Sequence, residues 1–468
     1  MKIEIRLSIA TDEDGLCDET VLTLDKPHDQ LEAIGLSIQE AKTLLKQLQE
    51  KIVNAQSRAY SLAHRSCRHC GGHQLSKGYK TIRFRTAFGD VMLPSQRLVR
   101  CGCQADTGAS KTFSPLTDLF TEHVSPELLY LETRWASLAS FGVTVDLLKD
   151  VLPVGATLNA ETVRNHVHSV AERISSALKP DQPYLHWVNQ RALAQLPEPE
   201  GPIVVGIDGG YVKNRNNPSS HFEVIVGQSI PEDRDNRYFG LVQSIDQSPQ
   251  NRLQSILQEQ GFQLNQDITF MTDGGDTVKN MAADLFPCSE QILDWFHITM
   301  RLTVLKQYIK GVIHHEAEEG ERLKRELKRI KGYLWNGNLF RALPCIEDWV
   351  DDIEALECDY ASLKALCKAA NEFNTYIGNN AGSMPNYAER HRYGERVSTA
   401  FAESTVNVVV GKRFCKKQQM RWSQQGTHQL LQTRTRTLDG TLRKTFENWY
   451  PGMKIDGTEQ AEVVPMAA

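Results

Sequence analysis

Residues 203–214 read IVVGIDGGYVKN, and residues 267–275 read DITFMTDGG. Each opens as a run of apolar and β-branched residues, the composition of a strand buried on both faces, and each run stops at an aspartate followed by two glycines. Asp208 and Asp273 lie far apart in the chain, so they meet only if their strands are neighbours. A glycine pair after each acid permits close approach of a nucleic-acid backbone or a metal-bound water, because no side chain stands in the way.

Working outward, HFEVIVGQSI (221–230) and RYFGLVQSI (237–245) read as two further strands between the acids. VKNMAADLF (278–286) reads as a helix, and QILDWFHI (291–298) as a fifth strand. Three sequential strands followed by alternating helix and strand predict an α/β fold with a ribonuclease-H-like sheet, the first acid on strand one and the second at the end of strand four. That placement has a chemical reason. Two Mg²⁺ or Mn²⁺ ions about 3.5–4 Å apart need shared carboxylates on rigid elements. Asp276 competes with Asp273 for the second position, or caps the following helix.

Residues 300–379 are helical in composition, and HHEAEEGERLKRELKRIKGYLWNGN (314–338) forms a solvated helix face. Beyond them, MPNYAERHRYGERVSTAFAESTVNVVVGKRFCKKQQMRW (384–422) carries Glu403 among small or uncharged neighbours. On a helix Glu403 and Asn407 share a face while Val406, Val409 and Val410 turn toward a core; the β-branched content leaves a strand open. The catalytic core therefore spans 200–299 and 384–450, interrupted by an all-helical insertion at 300–380.

Toward the N-terminus, CRHCGGHQLSKGYKTIRFRTAFGDVMLPSQRLVRCGC (67–103) separates a C-x-x-C from a C-x-C by two strand-like basic runs. Thiolate pairs held apart by a hairpin bring Cys67, Cys70, Cys101 and Cys103 around one structural Zn²⁺, with His69 or His73 as substitute ligands and a redox pair as the alternative. This defines a zinc-ribbon-like basic module at 64–112. Upstream, KIEIRLSIA (2–10) alternates like a strand and about 29–63 reads as one helix, giving a strand-plus-helix segment at 1–63. That helix packs on its own domain or serves self-association.

Between 125 and 180 the pattern is helical. VTVDLLKDVLP (143–153) and LNAETVRNHVHSVAERISSAL (158–178) fit a helix-turn-helix whose second helix starts at a capping Asn159. Thr162, Arg164, Asn165 and His168 would face DNA; an ordinary three-helix packing unit is the competing reading. A proline-containing linker follows over 179–202.

The net charge of −5 averages over segments of opposite character. Arg58–Lys111 holds ten Lys/Arg against two acids, and Met384–Tyr450 twelve against five. Each block can meet phosphate, since a local field is screened only beyond about 8–10 Å. In the second block Lys412, Arg413, Lys416, Lys417 and Arg421 are the expected phosphate clamps, against a merely solvated basic face. No apolar run approaches the roughly 20 residues a membrane helix needs. The opening residues lack a secretion pattern, which places the chain in the reducing cytosol and makes disulfides unexpected. The remaining cysteines, Cys17, Cys288, Cys345, Cys358, Cys367 and Cys415, read as small core residues.

Taken together, GIDGGYVK (206–213), FMTDGGDTVKNM (270–281), QILDWFHITMRL (291–302), GYLWNGNLFRAL (332–343) and STAFAESTVNVVVGKRFCKKQQMRWS (398–423) closely resemble the DDE transposases of bacterial insertion sequences, specifically the Kra group, with broader similarity to Mutator-like enzymes. The resemblance implies that Asp208, Asp273 and Glu403 form a Mg²⁺-binding triad. It also implies that Asp294 and His297 form a D-x-x-H signature, His297 contacting phosphate or serving structure, and Trp295 stacking on an unpaired base or packing in the core. It implies cleavage at element ends and joining to double-stranded target DNA by a homodimer or larger assembly in the bacterial cytoplasm, associated with the nucleoid. An inert-core DNA-binding regulator and a nuclease of the same fold are the rival expectations.

Overall fold

The computed structural model describes residues 1–11, 15–103, 112–178, 195–199, 201–232, 234–263, 265–275, 289–398, 404–415 and 420–453. Its described residues are mixed α/β, 52% helix and 21% strand. It divides into two compact units, Met1–Val170 with Leu442–Ala468, and Ala171–Thr441.

In the first unit, β1 (Lys2–Thr11) and β2 (Gly15–Asp25) form an antiparallel hairpin, in register from Lys2↔Asp25 to Thr11↔Gly15 apart from an irregularity at Ile5/Arg6. The second strand is absent from the sequence-based reading. The following helix, α1 (Ile38–Ala63), begins well after residue 29 because Ser37 and Glu40 form a capping box. Ser37 Oγ accepts from Glu40 N at 3.2 Å and Glu40 Oε2 accepts from Ser37 N at 2.8 Å, satisfying two donors of the first turn. β3 (Ser76–Thr86) and β4 (Gly89–Val99) pair antiparallel, and β5 (Thr112–Phe113) joins at Leu98 and Val99. Val91 and Leu93, two apart on β4, bury one face against Val53 of α1, with Ile82, Phe84 and Phe120 around them. Helices α2 (Pro115–Leu119), α3 (Pro126–Leu138), α4 (Phe141–Val151) and α5 (Ala160–Ser176) follow; α5 runs across the division between units.

The second unit is built on β6 (Ile203–Lys213), β7 (His221–Pro231), β8 (Arg237–Leu241), β9 (Ile268–Thr272) and β10 (Glu290–Leu293), in spatial order β10-β9-β6-β7-β8. β6–β7–β8 is an antiparallel meander, whereas β9 runs parallel to β6 and β10 parallel to β9. Ile203, Val205 and Ile207 alternate into a core with α6 (Pro249–Glu259), a helix not expected from the sequence. Two strand bounds differ from expectation. β6 does not stop at Asp208 but continues to Lys213 along β7, and β10 stops at Leu293, so Trp295 to Ile298 are helical.

Four helices then pack together: α7 (Trp295–His315), α8 (Ala317–Trp335), α9 (Leu339–Glu354) and α10 (Leu363–Asn380). The charged run on α8 buries Leu323, Leu327, Ile330 and Leu334 at helical spacing and turns its charges outward. Trp349 is buried at the centre, its Nε1 donating to Leu323 O at 3.1 Å. α11 (Tyr387–Arg392), a π-helix (Asn407–Cys415) and α12 (Gln424–Leu438) complete the unit. α13 (Leu442–Trp449) belongs to the first unit, where Phe446 meets Tyr130 edge-on at 5.5 Å.

Candidate active site

The parallel registers bring three acids to one sheet end. Ile207 pairs with Thr272 and Leu293 with Thr272, so Asp208, Asp273 and Asp294 are the next positions on three adjacent strands. Asp294 N is held by Thr272 O at 2.9 Å. Burial pushes the Asp208 carboxyl above its ordinary range; the Gly209 N–H, donating at 2.7 Å, and His297 oppose this, and Asp273 and Asp294 add to it. Among the described residues neither Asp208 nor Asp273 has a Lys or Arg ion-pair partner, so the pair suits a hard cation bound through oxygen.

Asp294 is fully buried and caps α7, its Oδ1 accepting from Phe296 N at 2.8 Å. Its Oδ2 lies 3.7 Å from His297 Nε2, one turn along. The D-x-x-H pair is thus a helix start that sets His297 close enough to Asp208 to favour its charged form. Sequence reasoning placed Asp294 inside a strand and missed it as a member of the carboxylate cluster; the capping position before an amphipathic run was the available signal. Trp295 packs against Trp335 at 4.8 Å and Tyr387 at 4.9 Å, in the core rather than on a surface for bases.

Glu403 and Asp276 lie outside the described residues, as do Lys416 and Lys417. Residues 404–415 are helical, so the strand alternative for this stretch is set aside. A Cβ on Gly210 would meet Val406 at 3.1 Å and Val410 at 3.5 Å, which puts this helix over the face of β6 that also carries Asp208. Lys412 and Arg421 are exposed. Arg413 is not a phosphate clamp. It is fully buried, its guanidinium 5.0 Å over the Trp422 ring, and burial beside Arg434 lowers its pKa to about 10.

The chain matches no protein-family model and no curated protein.

In the first unit Cys67, Cys70, Cys101 and Cys103 form a group that can hold a metal ion, all four sulfurs within 4.8 Å of one another. Sγ separations are 3.6 Å for Cys67–Cys103, 3.3 Å for Cys70–Cys101 and 3.7 Å for Cys70–Cys103. A tetrahedron with Zn–S near 2.3 Å has edges of about 3.8 Å. The knuckle is closed by Cys67 N to Gly72 O and Gly71 N to Cys67 O, both 2.9 Å, with Gly71 at φ 70°. N–H groups of Cys70 and His69 push the Cys67 thiol down to about 6, toward the thiolate a metal requires. His69 and His73 stand outside the cluster. Of the other cysteines, Cys17 and Cys415 are exposed and Cys345, Cys358 and Cys367 half-buried, so the core reading fails for these; Cys288 lies outside the described residues.

Asn159 caps α5, its Oδ1 accepting from Thr162 N at 2.9 Å. The joint from α4 spans residues 152–159, longer than the three or four residues of a helix-turn-helix turn. Asn165 is exposed; Thr162, Arg164 and His168 are half-buried, and Arg164 is paired with Glu161 at 3.1 Å. No helix among the described residues is long and apolar enough to cross a membrane.

Proposed function

We propose that the chain is a DDE transposase, cutting DNA at element ends and joining them to target DNA with divalent metal. The carrying observation is the adjacency of Asp208 and Asp273 on parallel β6 and β9, without a basic ion-pair partner among the described residues, in a sheet of order β10-β9-β6-β7-β8. That order, a three-strand meander extended by two parallel strands, supports a ribonuclease-H-like core. The helix over Gly210, described from residue 404 onward and lying on the Asp208 face of β6, supports Glu403, its neighbour in sequence, as the third acid.

Asp208, Asp273 and Glu403 would hold two Mg²⁺ or Mn²⁺ ions, which when bound lower the pKa of the attacking water and offset charge on the leaving oxygen. Burial raises the Asp208 pKa, and a bound cation would oppose that shift by favouring the carboxylate. Asp294 fixes His297 through the first turn of α7 and so acts as a positioning residue. The four-thiol cluster would hold a structural Zn²⁺ that orders its basic hairpin for DNA backbone. Two element ends held together require at least two copies of the chain.

The test is cleavage and joining of a labelled duplex carrying element ends with Mg²⁺ or Mn²⁺, wild type beside Asp208→Ala, Asp273→Ala and Glu403→Ala. Joined product is expected only with wild type. Specific end binding by folded wild-type protein without any cutting would overturn the proposal in favour of a regulator, and cutting without joining in favour of a nuclease.

A further inference from the structure

Beside Asp273 the second unit opens into a pocket of about 690 Å³, within the roughly 300–1,000 Å³ of small-ligand sites. Gly274 and Gly275 line one side, Arg301 of α7 another and Tyr376 of α10 a third. Tyr376 Oη donates to the Asp273 main-chain oxygen at 2.9 Å, which ties this wall to the end of β9. The Arg301 guanidinium lies 4.0 Å from the Tyr376 ring centroid. Arg301 follows His297 by one helical turn, so both project from one face of α7, His297 acting on Asp208 and Arg301 beside the tyrosine that holds Asp273.

The chemistry of the ligand follows from Arg301. Lys368 on the rim is 3.8 Å from Glu372, so those two charges offset one another. Asn371 Nδ2 donates to Glu354 Oε1 at 2.7 Å and Thr375 Oγ1 to Asn371 O at 3.0 Å, so their donors are engaged within the protein. Arg301 is exposed and has no carboxylate partner among the described residues. An exposed arginine ordinarily moves through solvent, whereas this one is held over an aromatic ring, which limits its freedom before any ligand arrives. A guanidinium carries donors only, so its ligand must bring acceptors and negative charge, and its planar fork matches the paired oxygens of a phosphate. With a DNA strand at Asp208 and Asp273, the anion nearest to hand is a neighbouring phosphodiester of that strand.

We propose that Arg301, backed by the Tyr376 ring, clamps a phosphodiester beside the one being cut on the strand held at Asp208 and Asp273. The inference rests on the reading of the chain as a DNA-cutting enzyme. It adds a positioning residue from the helical segment to a site otherwise built on the sheet, fixing the strand on the side of Asp273 away from β6.

The test is a binding cycle with full-length protein carrying Asp208→Ala, so that DNA stays uncut. Duplexes bearing an element end are compared with duplexes in which one phosphate at a time near the cut is replaced by an uncharged methylphosphonate. The same series is run after adding Arg301→Ala to this parent, and with Arg301→Gln in case the first variant fails to fold. At one phosphate, neutralisation is expected to weaken binding by the parent about fivefold or more and to have little further effect once either variant is present. The slope of log affinity against log salt is expected to become shallower by about 1 in both variants. No Arg301-dependent position in the strand overturns the clamp and leaves the transposase reading intact; a guanidinium that only braced Tyr376, or held a free phosphate ion, would give that profile. Absence of specific end binding by the parent overturns the transposase reading, and the clamp with it.

Discussion

Asp208 and His428 carry opposite pH signatures. An acid whose folded pKa is raised contributes stability when protonated and loses it as pH rises through that pKa, so at neutral pH the Asp208 charge costs the metal-free fold. Asp208→Asn is therefore expected to raise Tm at pH 7 without divalent cations, by about 2–4 °C per kcal/mol recovered. The gain shrinks in saturating Mg²⁺ and vanishes at acid pH; calorimetry showing an unchanged or lower Tm would sink the argument. His428, 7% exposed, accepts from Val242 N at 3.4 Å through Nδ1, and burial, with Arg252 adding, lowers its pKa from 6.5 to about 4. Its contribution is present above pH 6.5 and lost as pH falls toward 4, on the order of 3 kcal/mol. In denaturant titrations across that window, His428→Gln is expected to flatten the loss; an unchanged slope would exclude His428 as its source.

At the scale of elements, two sites depend on close approach. A Cβ on Gly227 of β7 would lie 2.2 Å from Phe239 Cζ and 2.6 Å from Gly206 O, the second of them backbone. Gly227→Ala is expected to cost about 3 kcal/mol or more, read as a lower denaturant midpoint at constant slope; a shift within about 0.5 kcal/mol would contradict the packing described. The β3–β4 hairpin has its two ends held by paired thiols, and metal analysis is expected to find one Zn²⁺ per chain, falling below about half an ion in Cys67→Ser with Cys103→Ser. Hydrogen exchange over residues 64–103 should then rise sharply. Full zinc content in the double variant would remove the cluster from consideration.

For the molecule as a whole, the division into two units predicts separable responses. Zinc removal should increase exchange in Met1–Val170 and leave Ala171–Thr441 protected, whereas Asp208→Asn should act only on the second. Peptide-resolved exchange that changes in both units together would show one cooperative body. The sequence alone determined what depends on near neighbours: apolar runs leading to Asp208 and Asp273, the thiol pairs on either side of a hairpin, the Asn159 cap, and the outward charges of α8. Even the start of α1 was legible in Ser37 and Glu40, where helical composition upstream obscured it. Tertiary structure decided what depends on partners distant in the chain. Parallel pairing of β9 with both β6 and β10 brought Asp294 beside the two expected acids, although its local role is a helix cap. Packing against Trp422 took Arg413 out of solvent, although its neighbours Lys412 and Arg421 remain exposed. Periodicity records which side of an element is apolar; strand register and helix packing choose which polar groups that side is brought to meet.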